Sequence, residues 1–142
     1  MLVSELMTNS VVSVSPDDTA QTAAYLLSRH NIGSLPVCSD GSALRGIVTD
    51  RDIVLRCVAA ELDPAQTLVK EIMTRSPLAI SPADDVRDAA RCMAARQVRR
   101  TPVTEGHRVV GMLSLGDLSR TRSYDMETSR ALAEISDYVR RI

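Results

Sequence analysis

Apolar residues fall along this chain in two patterns that alternate and then recur. Ala20, Ala23, Ala24 and Leu27 take the i, i+3, i+4, i+7 spacing of one buried helix face. Val86, Ala89, Ala90 and Met93 take it again, and the alanines in both stripes suit a helix lying close to a sheet. A short strand, Val11–Val14 or Leu78–Ile80, precedes each stripe and leads into Ser15-Pro16 or Ser81-Pro82. Ser-Pro predicts a helix start, with serine as N-cap and proline at the first helical position. Asp17-Asp18 and Asp84-Asp85 then place negative charge in the first turn, where the helix dipole favours it. A hairpin follows each helix. The first joins Leu35–Cys38 to Leu44–Val48 around Ser39-Asp40-Gly41-Ser42; the second joins Thr101–Thr104 to Val109–Leu113 around Glu105-Gly106-His107-Arg108. A second helix comes next, from Asp50 to about Ala60 and, shorter, from Leu115.

The recurrence is a sequence repeat. Leu6-Met7-Thr8 returns as Ile72-Met73-Thr74, and the same offset of 66 residues maps Ser15-Pro16 onto Ser81-Pro82 and Pro36-Val37 onto Pro102-Val103. Past the hairpin the offset is 65, taking Gly46-Ile47-Val48-Thr49 to Gly111-Met112-Leu113-Ser114, with one residue lost in the turn, where length is cheap to change. The unit is β-α-β-β-α, twice, an α+β fold. A unit this small buries too little apolar surface alone, so the two are expected to pack face to face with pseudo-two-fold symmetry.

Composition removes several function classes. Seventeen Lys and Arg against 18 Asp and Glu give a net charge of −1, and three Tyr are the only aromatics, so neither a phosphate-coating surface nor a base-stacking platform is expected and nucleic acid is disfavoured as a partner. Cys38, Cys57 and Cys92 have no CxxC spacing and read as small apolar residues; with His30 and His107 they make no zinc pattern, so no metal is expected to be required. The six methionines read as core filler. No apolar run approaches a membrane span, and the first ten residues carry no cationic segment followed by an apolar one, so a cytoplasmic protein is expected. No nucleophile–base pair or paired acid and base stands out, so the chain is not expected to be an enzyme.

The candidate chemistry lies where a strand hands over to a helix, at Thr49-Asp50-Arg51-Asp52 and again at Ser114-Leu115-Gly116-Asp117. Free backbone N–H groups at such a junction attract phosphate, and a Thr or Ser hydroxyl adds a donor. The aspartate three residues on has a reach suited to the two hydroxyls of a ribose. The same [ST]-x-x-[DE] spacing also describes a capping box that simply closes a helix end. Arg99 and Arg100 open the second hairpin on what alternation makes opposite faces, so at least one can reach a phosphate; equally, the two form an exposed, ion-paired doublet. The first repeat has Gly33-Ser34 in their place, with Arg51 as its cation where the second has Gly116.

Taken together, LMT, SP, IGSLPV and GIVTDRD, then IMT, SP, VRRTPV and GMLSLGD, resemble a pair of CBS domains over Val3 to about Leu118. The resemblance is to small stand-alone bacterial CBS-pair proteins. It implies CBS domains at 1–60 and 68–120, while the chain's own pattern makes 61–67, with Asp63-Pro64, a linker and 121–142 a helical extension. It further implies a disc with two clefts for adenosyl ligands (AMP, ADP, ATP, NAD or S-adenosylmethionine), usually a homodimer, and a regulatory role toward an unidentified protein partner. Under it, Thr49 and Ser114 face phosphate and Asp52 and Asp117 hold ribose. Arg99 and Arg100 lie at phosphate-facing positions; Ser13, Ser15, Gly33 and Ile80 flank the clefts, and Ile32 and Val98 wall the adenine. The alternative is a ligand-independent interaction or stress protein with vestigial clefts. Beyond the repeats, Leu132, Ile135, Val139 and Ile142 recur at helical spacing, a stripe that packs on its own pair or bridges to a second subunit.

Overall fold

The computed structural model describes residues 1–119 and 130–135. In chain order the elements are α1 (Val3–Leu6), α2 (Ala20–His30), β1 (Ser34–Ser39), β2 (Ala43–Thr49), α3 (Asp50–Ile53), α4 (Val69–Ile72), β3 (Thr74–Arg75), α5 (Val86–Arg96), β4 (Arg100–Glu105), β5 (Arg108–Ser114) and α6 (Leu115–Ser119). Residues 130–135 are helical as well. Helix α3 runs on as a π-helical stretch, Val54–Val58. No helix among the described residues is long and apolar enough to cross a membrane.

The chain divides into two compact units that do not follow the repeat boundary. One comprises Val12–Pro77 with His107–Val109; the other comprises Met1–Val11, Leu78–Gly106 and the chain from Val110 onward. Each repeat's opening Met-Thr segment thus folds into the unit built on the other repeat.

In the first unit, β1 and β2 form the antiparallel hairpin, with Leu35 opposite Val48 and Ser34 opposite Thr49. Segment β3 joins the far edge of β2, placing Thr74 against Ile47 and Arg75 against Gly46. Gly46 permits this, because a Cβ there would lie 2.7 Å from the Thr74 carbonyl oxygen and 2.9 Å from Met73 Sδ. Leu35, Val37, Val48, Val69 and Ile72 form the core, closed by Ala20, Ala23 and Leu27 of the α2 stripe. In the second unit β4 pairs with β5, and the core gathers Val3, Val103, Leu113 and Leu118 under Val86, Ala89, Ala90 and Met93 of α5. Gly111 plays the part of Gly46: its Cβ would lie 2.6 Å from Met7 Sδ and 3.0 Å from the Thr8 carbonyl.

Three local expectations change. The strands expected at Val11–Val14 and Leu78–Ile80 reduce to single parallel bridges, Val14 to Val37 and Ile80 to Val103. The Ser-Pro pairs open a turn ahead of the helix: Asp18 Oδ2 accepts the Ser15 N–H at 2.8 Å, as Asp84 Oδ2 accepts that of Ser81 at 2.9 Å. The helices begin later, capped by Thr19 and Asp85, because a carboxylate three residues on satisfies the serine N–H before helical bonding starts. In the C-terminal stretch, Ala131 and Ile135 are the buried residues and Leu132 is exposed, so this turn packs on its own unit. Val139 and Ile142 of that stripe lie outside the described residues.

Candidate functional site

Both [ST]-x-x-D motifs sit where a hairpin strand becomes a helix, and both close as capping boxes. In the first, Thr49 N–H donates to Asp52 Oδ2 at 3.0 Å and Asp52 N–H donates to Thr49 Oγ1 at 3.0 Å. In the second, Ser114 N–H donates to Asp117 Oδ2 at 2.9 Å and Asp117 N–H donates to Ser114 Oγ at 3.1 Å. Both aspartates are buried. Asp52 is held further by the Thr74 hydroxyl at 3.3–3.4 Å and by Arg56 Nη1 at 3.7 Å. Arg56 in turn donates to the carbonyls of Ile72 and Met73, so it spans α3 and the end of α4.

The two helix starts differ in their remaining N–H groups. In the first repeat, Asp50 N–H donates to the Gly33 carbonyl at 3.0 Å and Arg51 N–H to Asp50 Oδ1 at 2.8 Å. With Thr49 and Asp52 engaged, none of these four N–H groups is open, contrary to the expectation of free donors. In the second repeat Leu115 N–H donates to the Arg99 carbonyl at 3.0 Å. Leu115 brings no carboxylate, so the Gly116 N–H is without a partner among the described residues. Gly116 lies on a pocket of about 300 Å³ with Ser114, Ser119, Leu132 and both arginines. Arg99 and Arg100 both line this one pocket. Arg99 precedes the strand, at a bend where its carbonyl is tied to Leu115, so strand alternation does not reach it. In the first repeat a pocket of about 340 Å³ is lined by Asp50, Arg51, Val54 and Leu55; it gathers Arg51 but neither Thr49 nor Asp52.

The remaining expected residues lie in the surrounding packing. Ser13 bonds through its side chain to Cys38, whose thiol burial pushes up from its usual range, the Ser13 bond partly offsetting this. Ser15 spends its N–H on Asp18 and its hydroxyl on the Asp17 N–H. Ile80 spends its backbone groups on Pro102 and Thr104 of β4. Ile32 and Val98 are half-buried against their units' cores, and Gly33 receives Asp50. Sequence reasoning set Ser34 against the arginines but gave it no role; its hydroxyl is buried without a hydrogen-bond partner among the described residues. The signal for a role was available, since the 66-residue offset makes Ser34 the counterpart of Arg100. Sequence reasoning missed Thr74 and Arg56, which act through contacts 16 to 22 residues apart that no local pattern carries.

The fold is a duplicated hairpin-and-helix unit with a polar junction at each strand end. The chain belongs to the CBS-domain family: the family model for "CBS domain" matches residues 3–58 and 69–124. It is 40% identical over 134 residues to the CBS domain-containing protein YhcV of Bacillus subtilis (strain 168), covering 94% of each chain. Among solved structures it resembles Hypoxic Response Protein I, crystallised with two coordinated zinc ions, with a TM-score of 0.79 and 33% identity over 84% of this chain and 98% of that one. It also resembles the CBS domain pair of protein MJ0100 in complex with 5'-methylthioadenosine and S-adenosyl-L-methionine, with a TM-score of 0.76 and 28% identity over 84% of this chain and 94% of that one.

The zinc-bearing relative overturns the expectation that no metal is required. Zinc ligands can come from side chains far apart in sequence or from two chains, so Cys and His spacing is a poor guide to their absence. Among the described residues of this protein no three His, Cys, Asp or Glu converge on a metal position.

Proposed function

We propose that this protein is a sensor that binds an adenosyl ligand and passes its occupancy to a protein partner. The observation that carries the reading is the second-repeat pocket, where an open Gly116 N–H faces the same space as Arg99, Arg100 and Ser114. Two guanidinium groups and a backbone N–H form a donor set for phosphate, and such charge-assisted contacts are the strong ones. Asp117 takes the ribose hydroxyls, with Val98 and Ile80 beside the base. In the first repeat Asp52, Thr49 and Arg51 take the corresponding roles, with Ile32, Gly33, Ser13 and Ser15 around them. The volume of about 300 Å³ sits at the small end of ligand pockets, and MJ0100 holds two adenosyl compounds on the same fold.

A thermal-shift and calorimetry panel of AMP, ADP, ATP, NAD and S-adenosylmethionine at ~1 mM tests the reading, since a millimolar site, worth about −4 kcal/mol, is half filled at that concentration. Arg100→Ala weakens ATP far more than adenosine, because only the phosphate contact is lost. Silence across the panel refutes the proposal. It would favour the competing reading, an interaction protein that binds no ligand, for which the two closed capping boxes speak.

The assembly belongs to the same reading. Val54, Leu55 and Val58 are 54%, 49% and 58% exposed within about one turn of helix, apolar area that a second copy of this chain covers in a homodimer.

A further inference from the structure

The two helix starts close with the same capping box but differ in the charges beside it, and Asp50 contributes most directly to the difference. Asp50 Oδ1 accepts the Arg51 N–H at 2.8 Å, the place in the first repeat that corresponds to the open Gly116 N–H in the second. The 65-residue offset pairs Asp50 with Leu115, which has no group to offer that N–H. Asp50 and Arg51 line one pocket with Val54 and Leu55, so a carboxylate stands beside the cation of that helix start. The next cation, Arg56, is spent on Asp52 and on the carbonyls of Ile72 and Met73. Where the second repeat has Arg99 and Arg100, the first has Gly33 and Ser34, and Ser34 keeps a buried hydroxyl without a partner. An unpaired hydroxyl can pair with a neutral ligand group, but unlike the two arginines it brings no positive charge to hold a phosphate. An incoming phosphate would meet an occupied N–H and a fixed negative charge within a few ångströms, where like charges repel strongly.

We propose that Asp50 acts as an internal substitute for a ligand phosphate, restricting the first-repeat site to adenosyl compounds without phosphate while the second-repeat site takes nucleoside phosphates. This rests on the adenosyl-binding reading above and divides its ligand class between the two repeats. The charged groups around the first site, Asp50 and Asp52 against Arg51 and Arg56, leave no excess cation for a polyphosphate. A neutral nucleoside or thioether avoids the repulsion, and a cationic sulfonium is attracted instead.

The experiment is a ¹⁵N-resolved titration of the full chain with adenosine, S-adenosylmethionine and ATP. The amides of Gly33 and Arg51 report the first repeat, and those of Arg99 and Gly116 the second. In the wild type, adenosine and S-adenosylmethionine move the first-repeat amides, whereas ATP moves only the second set. Asp50→Asn keeps an oxygen on the Arg51 N–H but removes the charge, and it lowers the ATP concentration needed at the first set at least tenfold. Asp50→Leu, the second-repeat residue, opens the N–H as well and lowers that concentration further; it also decides the matter if the Asn variant loses the wild-type amide dispersion. Two results overturn the assignment alone: ATP moving Gly33 and Arg51 as readily as adenosine does in the wild type, or neither variant changing the ATP midpoint. Adenosine and ATP moving neither set would remove the adenosyl-binding reading, and this inference with it.

Discussion

Asp52→Ala is the obvious variant for testing ligand contact, and its cost to the fold can be worked out first. The Asp52 side chain accepts the Thr49 N–H at 3.0 Å and the Thr74 hydroxyl at 3.3–3.4 Å, and its own N–H completes the box with Thr49 Oγ1. Truncation removes a cap interaction worth about 1 kcal/mol. It also leaves the Thr49 N–H and the Thr74 hydroxyl short of an acceptor in a part-buried place, about 1–3 kcal/mol more. Arg56 adds little, because its contact with Asp52 is 3.7 Å long and the arginine side chain is half exposed. The total is about 3 kcal/mol. With an unfolding entropy of ~2.1 cal/mol/K per residue over 142 residues, that lowers Tm by about 10 °C. Asp52→Asn keeps an oxygen for the Thr49 N–H and should lower Tm by only about 3 °C. Thermal melts followed by circular dichroism, without ligand, check both values. An Ala variant that melts within about 3 °C of wild type, or an Asn variant as damaged as the Ala one, would refute the assignment of Asp52 to the cap. Asn is consequently the cleaner ligand-binding probe.

Three further outcomes follow from particular contacts. Gly46→Ala drives a methyl into the fixed Thr74 carbonyl and should cost about 2–3 kcal/mol in urea unfolding, more than Gly111→Ala, whose nearest neighbour is the flexible Met7 side chain. Alkylation by iodoacetamide near neutral pH, followed by mass spectrometry, should modify exposed Cys92 first. Cys38 should lag because its raised thiol pKa leaves less thiolate, and fully buried Cys57 should react only on unfolding. Light scattering should report twice the 15.4 kDa chain mass, and Leu55→Glu should reduce it to one; a wild-type monomer at all concentrations would refute the dimer.

Much of the architecture was legible because it is written locally. The stripes at Ala20–Leu27 and Val86–Met93 and the hairpins after them depend on spacings of a few residues, and the structure has them as α2, α5 and the two strand pairs. The repeat doubled each signal. Helix starts were less legible, since Ser15-Pro16 carries an N-cap signal that Asp18 intercepts from three residues away. The Ser-x-x-Asp geometry is itself local, but whether it opens a helix or a turn depends on the groups it meets.

By itself the sequence determined the repeat, the order of elements and the place of both [ST]-x-x-D junctions, because periodicity, turn chemistry and side-chain reach act over one or two turns of chain. Only the tertiary structure decided that each Met-Thr segment folds into the other repeat's unit, against a glycine left bare for it. It alone placed Arg56 and Thr74 on Asp52 and brought Arg99 and Arg100 onto one pocket. It also left the Gly116 N–H without a partner among the described residues while Asp50 closed its counterpart. Those outcomes rest on contacts between residues distant in sequence and on which donor finds its acceptor first, and neither leaves a period in the chain.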